Sequence, residues 1–267
     1  MEVKSIKKHI KIFSNYFKLN LASALEYRAS FFTQAFGMAL SNSSFIFFWW
    51  VALGQLGGSV ADYTFLDVMF IWAVTSTGYG LSRVLFANAS NITHLVVTGE
   101  LDTFLLQPCN ILFNVISAQT SLTAYGDFVY GIILMGICYT RDFTAWIWFA
   151  IGVIMYAILL VAITVFAHSL SFYFGDATAA GNLSMEFAIN FAIYPEKIYT
   201  PLIRIVMYSL VPVGIAVHIP LRLYRNFSFE IAIVAFLILV VYCLFTYWFF
   251  YRGLKKYESG NSIGTRT

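Results

Sequence analysis

Charge is scarce in this sequence. Only 11% of the 267 residues are Asp, Glu, Lys or Arg, against 60% apolar and 19% aromatic residues, and the mean hydropathy is +0.77. A soluble domain of this length could not hide so much apolar surface, so a bilayer must be the solvent for much of it. A strong basic excess is missing too. The net charge is +3, which gives no support to a nucleic-acid-binding role. Cysteine is limited to Cys109, Cys138 and Cys243, which share no short spacing and sit in or beside apolar runs, as packing residues do. No glycine is followed by lysine, which excludes the phosphate-cradling GxxxxGK(S/T) loop, and there is no HExxH, His/Cys metal spacing or GxSxG elbow. His9, His94, His168 and His218 are scattered and define no catalytic group. The chain is therefore expected to hold no catalytic residue, metal or cofactor, and any energised work would draw on a nucleotide bound by another chain. Its start, "MEVKSIKKHIKIF", lacks the apolar core and cleavage site of a signal peptide, so the first span is expected to be retained.

What the sequence does contain is helical periodicity and long apolar runs. Over 2–22, Val3, Ile6, Ile10, Phe13, Phe17 and Leu21 recur at three- and four-residue intervals, with Lys4, Lys7, Lys8, Lys11 and Lys18 between them. That pattern predicts an amphipathic interfacial helix within 1–28, each lysine contributing about 1 kcal/mol against an anionic leaflet. A helix packed on another protein domain is the plainer alternative. Spans of about 20 apolar residues are expected at 30–53, 65–86, 112–138, 145–168 and 230–251. Lysines and Arg28 at one end, and Arg252, Lys255 and Lys256 at the other, place both termini in the cytoplasm and demand an even number of crossings. The sixth is expected at 177–194, where Asn182, Glu186 and Asn190 suit a helix that is buried or lines a cavity. Four of the five prolines follow, at Pro195, Pro201, Pro212 and Pro220. They predict broken helices, read as an outer re-entrant hairpin over 196–218 within the region 195–220. Arg222 and Arg225 then lie outside, against the positive-inside bias. The expected fold is an all-α integral membrane protein, a single transmembrane domain over 1–267 with six transmembrane helices.

"STGYG", Ser76–Gly80, differs from a potassium-filter TVGYG at its first two positions but lies inside a continuous apolar span. Its small residues are expected to let helices approach closely rather than to present carbonyls to an ion. Asp127 falls within the third span, where a lone charge costs roughly 2.5–3.5 kcal/mol on insertion scales. It is either a pathway or relay carboxylate, a structural Asp bonded to Tyr125 or Tyr130, or part of a helix that begins later. Asp176 is expected at a solvated helix end. The glycosylation triplets that begin at Asn88, Asn91 and Asn182 are expected to fall inside the cell or within the membrane. The one sizeable cytoplasmic loop between spans is 87–110. In it, Thr98 reads as a helix N-cap, Glu100 and Asp102 as first-turn acids, Leu101, Phe104 and Leu105 as an apolar face, and Pro108 as the stop. A cytosolic partner could grip such a short helix; a simple connecting helix is the alternative.

At these residues the sequence resembles the ABC-2-type transporter permeases, the membrane subunits of type-2 ABC exporters. "GELDTFLLQP", Gly99–Pro108, resembles their G-x-L-D-x-x-L-x-x-P loop. "YPEKIYTPLIRIVMYSLVPVGIAVHIP" resembles a second signature of one bacterial branch, through Tyr194, Pro195, Ile198, Tyr199, Arg204, Pro212 and Pro220. The resemblance implies a cytoplasmic coupling helix formed by Gly99, Glu100, Leu101, Asp102, Phe104, Leu105 and Pro108. It implies two permease subunits, identical or homologous, above two cytosolic ABC ATPase subunits that hold the ATP and Mg. It also implies a bacterial plasma-membrane location and a route between the permeases that would pass Tyr79, Glu186, Asn190 and Phe191. Tyr194 and Tyr199 of the second signature, and Asp127, join them as candidate pathway residues. Asp127 and its polar span do not map onto the family pattern. The expected function is that of the permease half of an ATP-driven exporter of hydrophobic or amphipathic substrates, in contact with membrane lipid. The alternative is a standalone channel or secondary transporter.

Overall fold

The computed structural model describes residues 11–22, 28–107 and 109–258. The expectations for Pro108 and for most of the lysine-bearing segment before residue 11 lie outside the described residues. Helix α1 (11–22) is followed by α2 (Arg28–Gln55), a two-strand ribbon β1 (Ser59–Val60) and β2 (Tyr63–Thr64), and α3 (Phe65–Phe86). A 3-10 turn (Ala87–Asn91) leads to α4 (Ile92–Thr98), α5 (Asp102–Leu105), α6 (Ile111–Ser117) and α7 (Ala124–Cys138). Then come α8 (Phe143–Ser169), α9 (Ser171–Phe174), α10 (Thr178–Ile193), a 3-10 turn (Glu196–Ile198), α11 (Pro201–Tyr208), α12 (Val213–Arg225) and α13 (Phe229–Leu254).

Among the described residues, three stretches are long and apolar enough to cross a membrane: Phe32–Gln55, Phe143–Phe174 and Phe229–Leu254. The pair α11 and α12, bent by 98°, would make a fourth if it counts as one span. The chain is a mostly helical, multi-pass membrane protein. Helix α10 has 16 residues, about 24 Å at 1.5 Å per residue, short of a hydrocarbon core of about 30 Å.

The third expected span, 112–138, is not continuous. It is divided into α6 and α7 by 118–123, where the sequence reads Ala-Gln-Thr-Ser-Leu-Thr. The break is held by polar contacts: Asn88 Nδ2 donates to the Val115 carbonyl at 2.7 Å, and the Ser121 amide to the Arg83 carbonyl at 3.0 Å. The bent pair α11 and α12 also differs in extent from the hairpin expected over 196–218. Helix α12 runs through Pro220 to Arg225, and Gly152 of α8 packs beside the Ala216 carbonyl that Pro220 cannot engage, so closely that a Cβ there would lie 3.1 Å from Val74 and 3.3 Å from that carbonyl.

Helix α3 is the axis of the bundle. A capping box starts it, with the Thr64 side chain and Asp67 exchanging bonds with each other's backbone. It packs on α7, α8, α10 and α12. The approach is close because the contact residues are small. A Cβ on Gly80 would lie 2.4 Å from the Phe128 amide nitrogen, one on Gly131 2.2 Å from Thr77 Oγ1, and one on Gly78 2.8 Å from the Tyr156 ring. The "STGYG" stretch is thus a helix-packing surface.

At the end where α3 begins, two ion pairs and a charged hydrogen bond join distant segments. Arg225 forms an ion pair with buried Asp67, its Nε donating at 3.0 Å, and its guanidinium lies 5.2 Å from the Tyr63 ring centroid. Lys197 pairs with Asp62 at 2.5 Å, and the Tyr224 hydroxyl donates to Asp142 at 2.6 Å. At the opposite end, Leu101, Leu95, Ile92, Val115 and Phe250 form a second apolar cluster under α4 and α5. Helix α1 joins that end, its Phe13 ring 6.1 Å from Phe86 and 6.2 Å from Phe113.

Candidate functional site

The α4–α5 turn differs in detail from the expected helix. Thr98 is the last residue of α4, and its hydroxyl bonds back to the His94 carbonyl at 2.8 Å, so it is not an N-cap. Gly99 takes the left-handed conformation (φ 81°) that ends helices. The Leu101 amide then reaches the Leu95 carbonyl at 3.0 Å, and α5 is a single turn. A glycine directly after a periodic apolar stretch is a stop signal, and Gly99 carried it.

The side chains of this turn divide by depth. Leu101 is fully buried and Phe104 rests on the same cluster, whereas Leu105 and Leu106 are exposed, Leu106 by 86%. The expected apolar face of Leu101, Phe104 and Leu105 is therefore split between anchor and surface. Glu100 is exposed and stands 3.8 Å from His94. Asp102 faces Tyr257, just beyond α13; burial first and this carboxylate second push the Tyr257 phenol up to about 12. Beside the turn, a cavity of about 560 Å³ is lined by Asn88, Asn91, His94, Glu100, Thr103 and Gln119, among others. Asp176 is exposed before α10 and accepts the Thr178 amide at 2.9 Å, the helix-end role expected of it.

The turn is tied to α10 through one buried histidine. His168, near the end of α8, meets Thr93 Oγ1 of α4 at 2.9 Å through Nδ1. Its Nε2 lies where a Cβ on Gly181 of α10 would stand 2.2 Å away.

Six of the seven candidate pathway residues fall into two groups. Tyr79 and Asp127 line a pocket of about 220 Å³ between α2, α3, α7 and α10. Asp127 Oδ1 accepts the Asn42 amide at 2.9 Å, and the Asp127 carbonyl accepts the Ser76 hydroxyl at 2.8 Å. The bonded partner is thus Asn42 of α2 rather than Tyr125 or Tyr130, and α7 does begin later than the span expected there. Glu186 and Asn190 lie on the exposed side of α10 with Asn182, four residues apart. Phe191 makes an edge contact with Tyr199 at 5.6 Å, and the Tyr199 hydroxyl donates to the Asn190 carbonyl at 2.8 Å. Tyr194 sits elsewhere, its ring 5.8 Å from Phe45 of α2.

Comparison with known families decides the class. A family model described as ABC-2 family transporter protein matches residues 40–261, from within α2 to beyond α13. The chain belongs to the ABC-2 transporter family. No curated protein and no solved structure matches it. As an ABC-2 permease it is a membrane subunit of an ABC transporter, not itself the catalytic one, and the family works in association with an ABC ATPase. Asn42, Thr75 and Thr93 were not singled out by sequence reasoning, and His168 was read only as one of four scattered histidines. Asn42 gave the clearest signal, as an amide inside the apolar stretch "GMALSNSSFIFFWW".

Proposed function

We propose that this permease forms half of the translocation route of an ATP-driven exporter, and that separate ATPase subunits, holding ATP and Mg, drive it through the α4–α5 turn. The observation that carries the proposal is the construction of that turn. Leu101 is sunk in an apolar cluster while Glu100, Thr103, Leu105 and Leu106 stand at the surface. A rigid base with an exposed, mixed polar and apolar tip is the form a partner's groove can hold. ATP-driven closure of the ATPase pair would push the turn, and α4, His168 and α10 would move with it.

In this reading α2, α3, α7, α8, α10 and α13 are the six spans, both termini are cytoplasmic, and the bent pair α11–α12 is re-entrant from the outer side. Gly99–Pro108 is the coupling element. Glu186, Asn190 and Phe191 on α10, together with Tyr79 and Tyr199, face a route completed by a second permease subunit, identical or homologous. Exposed polar groups along a membrane helix are costly unless protein or water meets them, which supports placing the Asn182, Glu186 and Asn190 face against a partner rather than in lipid. The substrate class, hydrophobic or amphipathic, and the bacterial plasma membrane as location rest on the family resemblance.

The test is affinity purification of the tagged chain from its native membrane. A Walker-loop ATPase should co-purify with the wild-type chain and be lost from Glu100→Lys/Leu106→Asp, whose surface changes leave the membrane fold intact. Retention of the ATPase by the double variant overturns the coupling assignment.

A further inference from the structure

Asp127 is one of the most confined charges in the molecule, at 4% exposure, and its hydrogen bonding is incomplete. Asn42 satisfies Oδ1, but Oδ2 has no partner among the described residues. Thr75, at 3% exposure, lines the same pocket, and its hydroxyl likewise has no partner among them. A buried carboxylate left half-satisfied is unfavourable unless a donor, preferably a charged one, completes it.

The rest of the pocket has matching chemistry. Trp72, stacked on Phe45 at 4.1 Å, and Tyr79 present aromatic rings, and Met38, Ile189 and Ile193 supply apolar wall. No lysine, arginine or histidine lines it among the described residues. A carboxylate, a hydroxyl and aromatic rings in an apolar cavity form the combination that recognises an ammonium group. The volume, about 220 Å³, admits such a head group with part of an attached chain.

We propose that the pocket between α2, α3, α7 and α10 binds the ammonium group of an amphiphile, with Asp127 as its counter-charge and Thr75 as a second polar contact. This rests on the transporter reading and adds a substrate chemistry to it. Two sources share that chemistry: a transported cationic amphiphile and an ethanolamine lipid head group.

The experiment is equilibrium binding of radiolabelled octylammonium, whose N–H groups can donate to Asp127, to the chain purified with its native partners, in phosphatidylglycerol nanodiscs and corrected against empty nanodiscs. Saturable binding is expected, competed by unlabelled octylammonium but not by octanol or octyl sulfate. Asp127→Asn should weaken it by roughly tenfold or more, the scale of a desolvated charge pair, and Thr75→Val by less. Competition by phosphatidylethanolamine in the nanodisc assigns the site to lipid, and its absence to a transported amphiphile. Absence of saturable binding, equal competition by octanol, or full binding by Asp127→Asn overturns the proposal. If Asp127→Asn does not fold, the competition series on the wild-type chain still decides. Binding is read without ATP or transport, so its failure leaves the permease reading standing. Loss of the ATPase would leave binding measurable.

Discussion

The Thr93 hydroxyl meets the His168 imidazole at 2.9 Å, and the far side of that ring lies against the backbone of Gly181. Three helices, α4, α8 and α10, therefore converge on one buried side chain. Because packed interiors shift between discrete arrangements rather than deforming smoothly, the proposed coupling predicts that movement of α4 reaches α10 through this contact. His168→Ala is expected to lower the amount of substrate moved per ATP hydrolysed while ATP hydrolysis continues. Gly181→Ala drives a methyl into the ring and should cost about 1–3 kcal/mol by overpacking. Thermal unfolding measures the stability change, and paired transport and ATPase assays measure the coupling.

Close approach of α3 and α7 depends on Gly80 and Gly131. Gly80→Ala would place a methyl 2.4 Å from the Phe128 backbone nitrogen, which cannot move aside as a flexible side chain could. The expected cost is again about 1–3 kcal/mol or more, read as a lowered midpoint in detergent. Gly136, with open space where a Cβ would stand, is the internal control and should tolerate alanine.

In the proposed topology Arg225 lies on the outer side, where positive charge is disfavoured, and its ion pair with Asp67 offsets that bias. Removing Arg225 leaves a carboxylate of 6% residue exposure without its charge partner. Breaking a buried pair costs about 3–5 kcal/mol, and the partial exposure of Arg225 brings the expectation for Arg225→Ala to the lower part of that range. Arg225→Ala/Asp67→Asn should recover part of the loss, as a double-mutant cycle would show.

Asp142 caps α8 and gives the bundle an acid-sensitive contact. The Tyr224 hydroxyl first, then the Ala145 amide, hold its carboxyl below the usual carboxylate range. A carboxyl with a depressed folded pKa stabilises the fold above its unfolded pKa, and that contribution is lost as pH falls through the folded value. Asp142→Ala should therefore lower stability at neutral pH by about 0.5–2 kcal/mol, the usual worth of an N-cap. The gap from wild type should close as pH falls below the carboxylate range, in unfolding midpoints measured across pH.

What the sequence made legible was local. Helix α3 has the expected ends, 65 and 86, because Thr64 and Asp67 form a cap that is visible as a pattern. Helix α10 lies within one residue of its expected bounds at either end, since the polar residues that weakened it as a lipid-facing span did not weaken it as a helix. The joining of distant segments was hidden. Asn42 and Asp127 are 85 residues apart, and no periodicity links them. The break at 118–123 depends on Asn88 and Arg83 reaching across from another segment, so apolar content alone read through it. At the α4–α5 turn the signal was local, but it had two meanings. Thr-Gly-Glu can start a helix at Thr98 or end one at Gly99, and burial of Leu101 under α4 selects the second.

The most direct test of the account is transport by the purified assembly in proteoliposomes, with and without ATP and the ATPase subunits. Movement of substrate that requires ATP and the ATPase, and that falls with Glu100→Lys/Leu106→Asp, is the predicted result. Conductance or gradient-driven transport by this chain alone, without ATP, would contradict it.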